Sequence, residues 1–188
     1  MYQDDNKDLF ISSSCADIFW KSLGFGLTVT GMMTWDLMKL IDFISTVPYC
    51  DADRIWSAGL SGGGLQTLWI AAMDDRIKGA IISGYFFGYR DTLMKMLCCP
   101  CNYVPGLWEV ADIGDVAALI CPRPLLIETG DADSLNGERG LVNTTEQANI
   151  VREAYKLMNS ENKFFNHIFK GEHLWCGEEA YPFIKKWI

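Results

Sequence analysis

A serine flanked by glycines is the clearest candidate for chemistry in this sequence. It lies in Gly59-Leu60-Ser61-Gly62-Gly63, a G-x-S-x-G pattern between an apolar stretch and an amphipathic stretch. This pattern is typical of a sharp strand-to-helix turn that exposes a serine Oγ above a sheet, at the N-terminus of a helix. We therefore predict that Ser61 is a nucleophile and that the backbone N–H of Gly62 stabilises an oxyanion.

A serine nucleophile needs a general base, and the sequence contains only two histidines, His167 and His173. His167 alternates with Phe165 and Phe169 in a predicted strand, so we interpret it as a structural histidine with its hydrogen bonds satisfied. His173 comes just after this strand, and loops at the carboxyl ends of parallel strands are where α/β sites collect. We predict that His173 is the general base.

The carboxylate that orients the base should follow the preceding strand, where Gly130-Asp131-Ala132-Asp133 offers two candidates. Asp133 stands a short loop beyond the strand, from where a side chain can reach back to an imidazole. Asp131 is better suited to capping the turn, a common role of aspartate. We predict Asp133 as the acid and keep Asp131 as the alternative.

Turn residues divide the chain into the alternating segments that would position these side chains. The predicted strands are 54–60, 77–85, 125–129 and 164–170, and the predicted helices are 35–47, 112–120, 144–159, 178–188 and one that opens at Gly62. Such alternation predicts an α/β fold with a mostly parallel sheet flanked by helices. Residues 26–31 alternate like a further strand, although six residues are a short pattern.

The hydrophobic content and the net charge of the chain indicate its domain class and the partners that it is least suited to bind. The 188 residues are 49% hydrophobic and carry a net charge of −8, which suits one packed domain and disfavours nucleic acid and anionic membrane surfaces. No stretch is long enough to span a bilayer, and acidic residues stand where a signal peptide would be basic. We predict a cytoplasmic protein with an N-terminal arm, 1–23, and one domain, 24–188.

The seven cysteines are an odd number, so they cannot all pair, and we expect mostly reduced thiols. The cluster Cys98-Cys99-Pro100-Cys101 lacks the second pair or nearby histidine of a zinc site. We therefore predict no metal and no organic cofactor. Glu128, within an apolar strand, should have a buried hydrogen-bond partner. Candidates for the substrate pocket are Tyr85, Tyr103 and Trp108, with ordinary packing as the alternative for the loop at 88–107.

The sequence resembles the α/β-hydrolases, within them a bacterial branch related to dienelactone hydrolases and acetyl xylan esterases. The resemblance runs from about Gly24 to the C-terminus, and the order Ser61, Asp133, His173 is the order of their triads. It is carried by Gly31, Trp35-Asp36, Asp53-Arg54-Ile55, the glycine-flanked serine with Gly64, Gln66-Thr67-Leu68-Trp69, Ser83-Gly84-Tyr85, Cys101-Asn102-Tyr103-Val104-Pro105-Gly106 and Pro122-Arg123-Pro124-Leu125-Leu126-Ile127-Glu128. Dienelactone hydrolases use a cysteine nucleophile, so the serine here favours ester chemistry.

The sequence departs from this family at its N-terminal side. The resemblance implies further strands upstream of residue 24, together with the loop that supplies a second oxyanion donor. We find no match to these strands in the sequence. Strand 54–60 would then be an open sheet edge, which invites pairing with another chain. We therefore expect either a homo-oligomer, a dimer, formed through this edge or poor solubility.

The resemblance and the residues together predict a serine hydrolase that cleaves a short-chain carboxylic ester through an acyl-enzyme. The predicted substrate is a small ester molecule, such as an acetyl ester of a carbohydrate. Two alternatives stay open. One is a serine peptidase or acyltransferase, because a triad does not select the acceptor. The other is a catalytically silent hydrolase-fold fragment that acts as an interaction module.

Overall fold

The computed structural model describes residues 14–96 and 98–188. Within these residues, parallel strands form one sheet in the order β1-β2-β3-β4. The strands are β1 (Trp56–Leu60), β2 (Gly79–Ser83), β3 (Leu125–Gly130) and β4 (Phe164–Phe169). The helices are α1 (Cys15–Leu23), α2 (Val29–Ile44), α3 (Gly62–Met73), α4 (Ile113–Ala118), α5 (Leu141–Leu157) and α6 (Ala180–Trp187). The predicted α/β architecture with a parallel sheet is confirmed.

Helices cover both faces of the sheet. Alternate residues of a strand point to opposite faces, and the neighbours Ile81 and Ile82 of β2 belong to different apolar clusters. Ile82 packs with residues of α2, α3, α4 and α5, whereas Ile81 packs with α6. Both central strands, β2 and β3, are buried at every position, which explains why they occur in the sequence as nearly continuous apolar runs.

The N-terminal region is where the structure differs most from the prediction. The strand-like pattern at 26–31 is wrong, because Val29–Ile44 is one helix that begins well before the predicted Trp35. The Thr28 side chain accepts a hydrogen bond from the Gly31 N–H at 3.0 Å, and this cap starts the helix early.

Part of the predicted N-terminal arm, 1–23, is helical. Residues 1–13 of that arm lie outside the described residues, while Cys15–Leu23 forms α1. Helix α1 packs against α2 and against the turn Pro100–Asn102, so it contributes to the wall of the domain. No helix in 14–96 or 98–188 combines the length and apolar character that crossing a bilayer would require.

Candidate active site

Ser61 occupies a sharp turn between β1 and α3. Its backbone has φ 57° and ψ −119°, a conformation that costs a residue other than glycine about 1–3 kcal/mol. The Ser61 N–H donates to the Ser83 carbonyl at 2.9 Å, which ties the turn to the end of β2. The chain therefore holds this serine, as predicted, at the carboxyl edge of the sheet and the N-terminus of a helix.

Two glycines allow the turn to pack this tightly. A Cβ at Gly59 would lie 2.4 Å from the Gly63 backbone, and a Cβ at Gly64 would lie 2.8 Å from the Ser83 carbonyl oxygen. A Cβ at Gly62 or Gly63 would meet nothing within 4 Å. Gly64, which stands outside the five-residue motif, is thus also constrained sterically, although less tightly than Gly59.

Asp133 and His173 are in direct contact. The Oδ2 of Asp133 lies 2.7 Å from the Nδ1 of His173. The same carboxylate is buried, and its Oδ1 accepts the Leu135 N–H at 2.9 Å. Such a hydrogen bond fixes the ring orientation and leaves Nε2 as the nitrogen that can exchange a proton with a reactant.

Asp131, the alternative acid, binds the loop that carries the histidine rather than the histidine itself. Its Oδ1 accepts the Gly171 N–H at 2.9 Å, and the Ala132 N–H donates to the Gly171 carbonyl at 2.9 Å. The loops that follow β3 and β4 are therefore joined by backbone contacts beside the contact between Asp133 and His173.

Gly84 lies between the serine and the histidine. It directly follows Ser83, the acceptor for the Ser61 N–H, and a Cβ added to it would lie 3.0 Å from the Cε1 of His173. None of the hydrogen bonds within the described residues joins the Ser61 Oγ to His173. Such bonds often tighten only when a substrate is bound.

Ser61 and Gly62 line a cavity of about 530 Å³. The other lining residues are largely apolar: Cys15, Met33, Leu65, Tyr85, Phe87, Met96, Cys98, Cys99, Cys101, Asn102 and Leu135. Tyr85 is buried, and this burial raises the pKa of its phenol well above the usual value. The phenol therefore stays neutral, and the cavity suits a small uncharged group.

The remaining predicted pocket residues lie elsewhere. Tyr103 and Trp108 line a separate hollow of about 290 Å³, and the Tyr103 hydroxyl donates to the Leu93 carbonyl at 2.8 Å. The sequence analysis missed Cys15 and Met33, which reach the cavity from α1 and α2. Thr28 is a typical helix cap, and recognising it would have placed Met33 in α2.

His167 differs from its prediction. Its Nδ1 is buried without a hydrogen-bond partner, so the interpretation as a fully satisfied histidine is wrong. The neighbouring rings on its strand, Phe165 and Phe169, lie 6.2 Å and 6.0 Å away by ring centroid and offer no acceptor. Glu128, its partner in the sheet register, has the predicted buried contact for Oε1, which accepts the Gly177 N–H at 2.9 Å, while Oε2 has none.

Two groups of side chains in the described residues have the composition and spacing to hold a metal ion. One consists of Cys15, Cys99 and Cys101, and the other of Glu128, His167 and Cys176. In each group the candidate ligand atoms lie within 4.8 Å of one another. The first group belongs to the wall of the Ser61 cavity, and the second combines residues of β3, β4 and the loop between β4 and α6.

Comparisons with known proteins agree with this architecture, although no family model matches the sequence. The provisionally named hydrolase YtaP of Bacillus subtilis (strain 168) is 28% identical over 92% of this chain and 59% of its own length. A solved structure from Bacteroides fragilis, provisionally assigned as an acetyl xylan esterase, superposes with a TM-score of 0.74 at 15% identity, over 92% of this chain and 52% of that one.

A glucuronoyl esterase from Sporotrichum thermophile gives a TM-score of 0.68 at 20% identity, over 84% of this chain and 51% of that one. The chain thus spans little more than half the length of these relatives. The solved structures share with this chain a parallel sheet flanked by helices. The described chain therefore has the fold of the α/β-hydrolases.

Proposed function

We propose that this chain is a serine hydrolase that cleaves a carboxylic ester with Ser61 as nucleophile, His173 as general base and Asp133 as its acid. The observation that carries the proposal is the 2.7 Å contact between Asp133 and His173, beside the strained turn that presents Ser61. A buried carboxylate on Nδ1 gives the imidazole the orientation and tautomer that a base next to a serine needs.

In the first step the Ser61 Oγ attacks the acyl carbon of the ester, and the Nε2 of His173 takes the hydroxyl proton. Asp133 keeps the proton on Nδ1 and stabilises the imidazolium that forms. The carbonyl oxygen becomes an oxyanion, to which the Gly62 N–H donates. This N–H stands at the start of α3, where helix N–H groups are unsatisfied and the helix dipole favours negative charge.

In the second step the tetrahedral intermediate collapses. His173 returns its proton to the leaving alkoxide, so that the alcohol departs and the acyl group stays on Ser61. Water then attacks the acyl-enzyme with His173 again as base. The products are the carboxylic acid and the restored serine, and no cofactor takes part in this sequence of proton transfers.

For the substrate we infer a short acyl group, such as the acetyl ester of a carbohydrate. The cavity beside Ser61 is lined largely by apolar side chains, including Met33, Phe87 and Leu135. Such a lining suits an acyl chain better than a charged residue of a peptide. Relatives named as acetyl xylan and glucuronoyl esterases support a sugar ester as the molecule to test first.

Active-site labelling tests the proposal. A fluorophosphonate should add to the wild-type chain at Ser61, detected by intact mass and peptide mapping. Ser61→Ala should give no adduct, while Ser45→Ala, at the end of α2, should label like the wild type. A folded wild-type chain that takes no label would overturn the assignment and favour a silent interaction module.

A substrate series then separates the remaining alternatives. Acetylated xylo-oligosaccharides, p-nitrophenyl esters of increasing acyl length and peptide amides should be offered to the wild type and to Ser61→Ala. We expect cleavage to fall as the acyl chain lengthens. Faster turnover of the amides than of the esters would point to a peptidase instead.

We also infer that the chain self-associates through β1. Among the described strands, β1 pairs with β2 alone, so its other side presents backbone donors and acceptors. Light scattering across a dilution series should show a dimer that dissociates. Ala58→Lys, which places a charge at an exposed position of this strand, should weaken it. A wild-type monomer at high concentration would contradict the inference.

A further inference from the structure

Three cysteines from two distant parts of the chain meet in the wall of the Ser61 cavity. Cys15 begins α1, whereas Cys99 and Cys101 belong to the loop between β2 and α4. All three sulfur atoms lie within 4.8 Å of one another, and those of Cys99 and Cys101 are 3.1 Å apart. Zn–S bonds are about 2.3 Å long, so two thiolates on one tetrahedral Zn²⁺ lie about 3.8 Å apart. Sulfurs within 4.8 Å of one another can therefore close on one ion, provided that Cys99 and Cys101 separate slightly.

The surrounding contacts hold the cluster together from both sides. Helix α1 packs on the turn Pro100–Asn102, which brings Cys15 to the loop. From α2, the Thr30 hydroxyl donates a hydrogen bond to the Cys101 carbonyl oxygen. The Nδ2 of Asn102 lies 3.8 Å from the Cys101 sulfur and 2.8 Å from the Cys99 carbonyl oxygen. Donors of this kind commonly support metal-bound thiolates.

We propose that Cys15, Cys99 and Cys101 bind one thiophilic divalent cation, of which Zn²⁺ is the representative. The prediction of no metal rested on the loop cysteines alone, which lack a further ligand nearby in the sequence. The fold supplies this ligand from α1. Three sulfur ligands favour soft or borderline ions over Mg²⁺ or Ca²⁺, which prefer oxygen.

Binding is an exchange of protons for the metal. Cysteine binds a metal ion as the thiolate, so its proton must leave when the ion binds. One Zn²⁺ ion would displace a proton from each cysteine and form a Zn–S bond to each, so the proton release reports how many thiols take part. Three protein ligands leave one position of a tetrahedral ion for water or a small molecule.

The consequence concerns the cavity rather than the proposed ester hydrolysis, on which this inference does not depend. The three cysteines line the same space as Ser61. A bound ion would join α1 to the loop at 98–102 and fix that wall, whereas the metal-free chain holds it by packing and hydrogen bonds alone.

The test is a titration of the reduced, metal-free chain with Zn²⁺, followed by competition with a chromogenic chelator and by proton release. We expect one equivalent bound with release of up to three protons, depending on pH. Cys15→Ser and Cys101→Ser should each weaken Zn²⁺ binding by more than about 100-fold. Loss of a residue that only hydrogen-bonds a metal ligand usually costs up to about 100-fold, so a larger loss indicates a direct ligand. Cys50→Ser, at an exposed position away from the cluster, should bind like the wild type.

Two results would overturn the proposal. One is unchanged Zn²⁺ affinity in Cys15→Ser. The other is loss of binding in Cys176→Ser with retention in Cys101→Ser, which would assign the metal to the group with Glu128 and His167. Circular dichroism of each variant shows whether it is folded. Cys99→Ser, at an exposed position, provides a third ligand variant if a variant at half-buried Cys15 or Cys101 fails to fold.

Discussion

The loops that carry Ser61, Asp133 and His173 differ in construction from the rest of the wall of the Ser61 cavity. Each of these three residues follows a strand, and hydrogen bonds within the edge of the sheet hold the loops in place. The wall combines α1, α2 and an irregular loop that lie far apart in the sequence. Local sequence therefore determines where the loops with Ser61, Asp133 and His173 lie, which we call the reactive side. Tertiary packing determines the shape of the Ser61 cavity.

The largest effect should come from the acid on the reactive side. Asp133→Asn keeps the shape of the side chain but removes the charge that stabilises the His173 imidazolium, so kcat for ester hydrolysis should fall by about 10,000-fold. Asp131→Asn is the matched control, since an asparagine Oδ1 can still accept the Gly171 N–H. Its kcat should stay within a few-fold of the wild type. Equal losses in both variants would mean that the two carboxylates act as one unit.

Backbone packing at the serine turn should give the next largest effect. Gly59→Ala places a Cβ against the backbone of Gly63, and we expect the free energy of unfolding to fall by at least about 3 kcal/mol. Gly63→Ala faces open space in a helix, so it should change stability by no more than about 1 kcal/mol. Urea denaturation compares the two variants. A Gly59→Ala chain as stable as the wild type would show that the turn can relax.

The smallest effect should come from the wall. Thr30→Val removes the hydroxyl that binds the Cys101 carbonyl and should lower the free energy of unfolding by about 1 kcal/mol. Thr46→Val, at an exposed site after α2, is the control. We expect Thr30→Val to raise KM for small esters while kcat is nearly unchanged, because it alters the cavity and leaves the proposed reacting groups in place. A fall in kcat with an unchanged KM would contradict this prediction, because it would show that the cavity wall affects the reacting groups.

The same distinction explains how much of the molecule the sequence predicted. The four strands lie within the predicted ranges or extend one residue beyond them, because buried apolar runs and turn residues mark them locally. The Ser61 turn also follows its local motif. Asp133 could be preferred to Asp131 because a side chain one short loop beyond a strand can reach a neighbouring loop, and the structure places it on His173.

The rest depended on contacts that no local pattern contains. Helix α1 and the early start of α2 place Cys15 and Met33 in the wall of the Ser61 cavity. Nothing in 98–101 indicates that a cysteine from α1 would join Cys99 and Cys101. Tyr103 directly follows Asn102, which lines the cavity, yet its own hydroxyl donates to the Leu93 carbonyl. The alternating pattern correctly predicted that His167 lies in a strand, but it could not predict that its Nδ1 would be buried without a hydrogen-bond partner.

The contacts between the loop after β3 and the loop after β4 have a consequence for engineering. Asp131 and Ala132 bind Gly171 directly, while Asp133 binds His173 in the same pair of loops. The loops that bind each other thus also hold Asp133 and His173 in contact, and they form a single exchangeable module. Grafting both loops together onto a related sheet should preserve their mutual geometry, whereas grafting either loop alone would separate the two halves of that module.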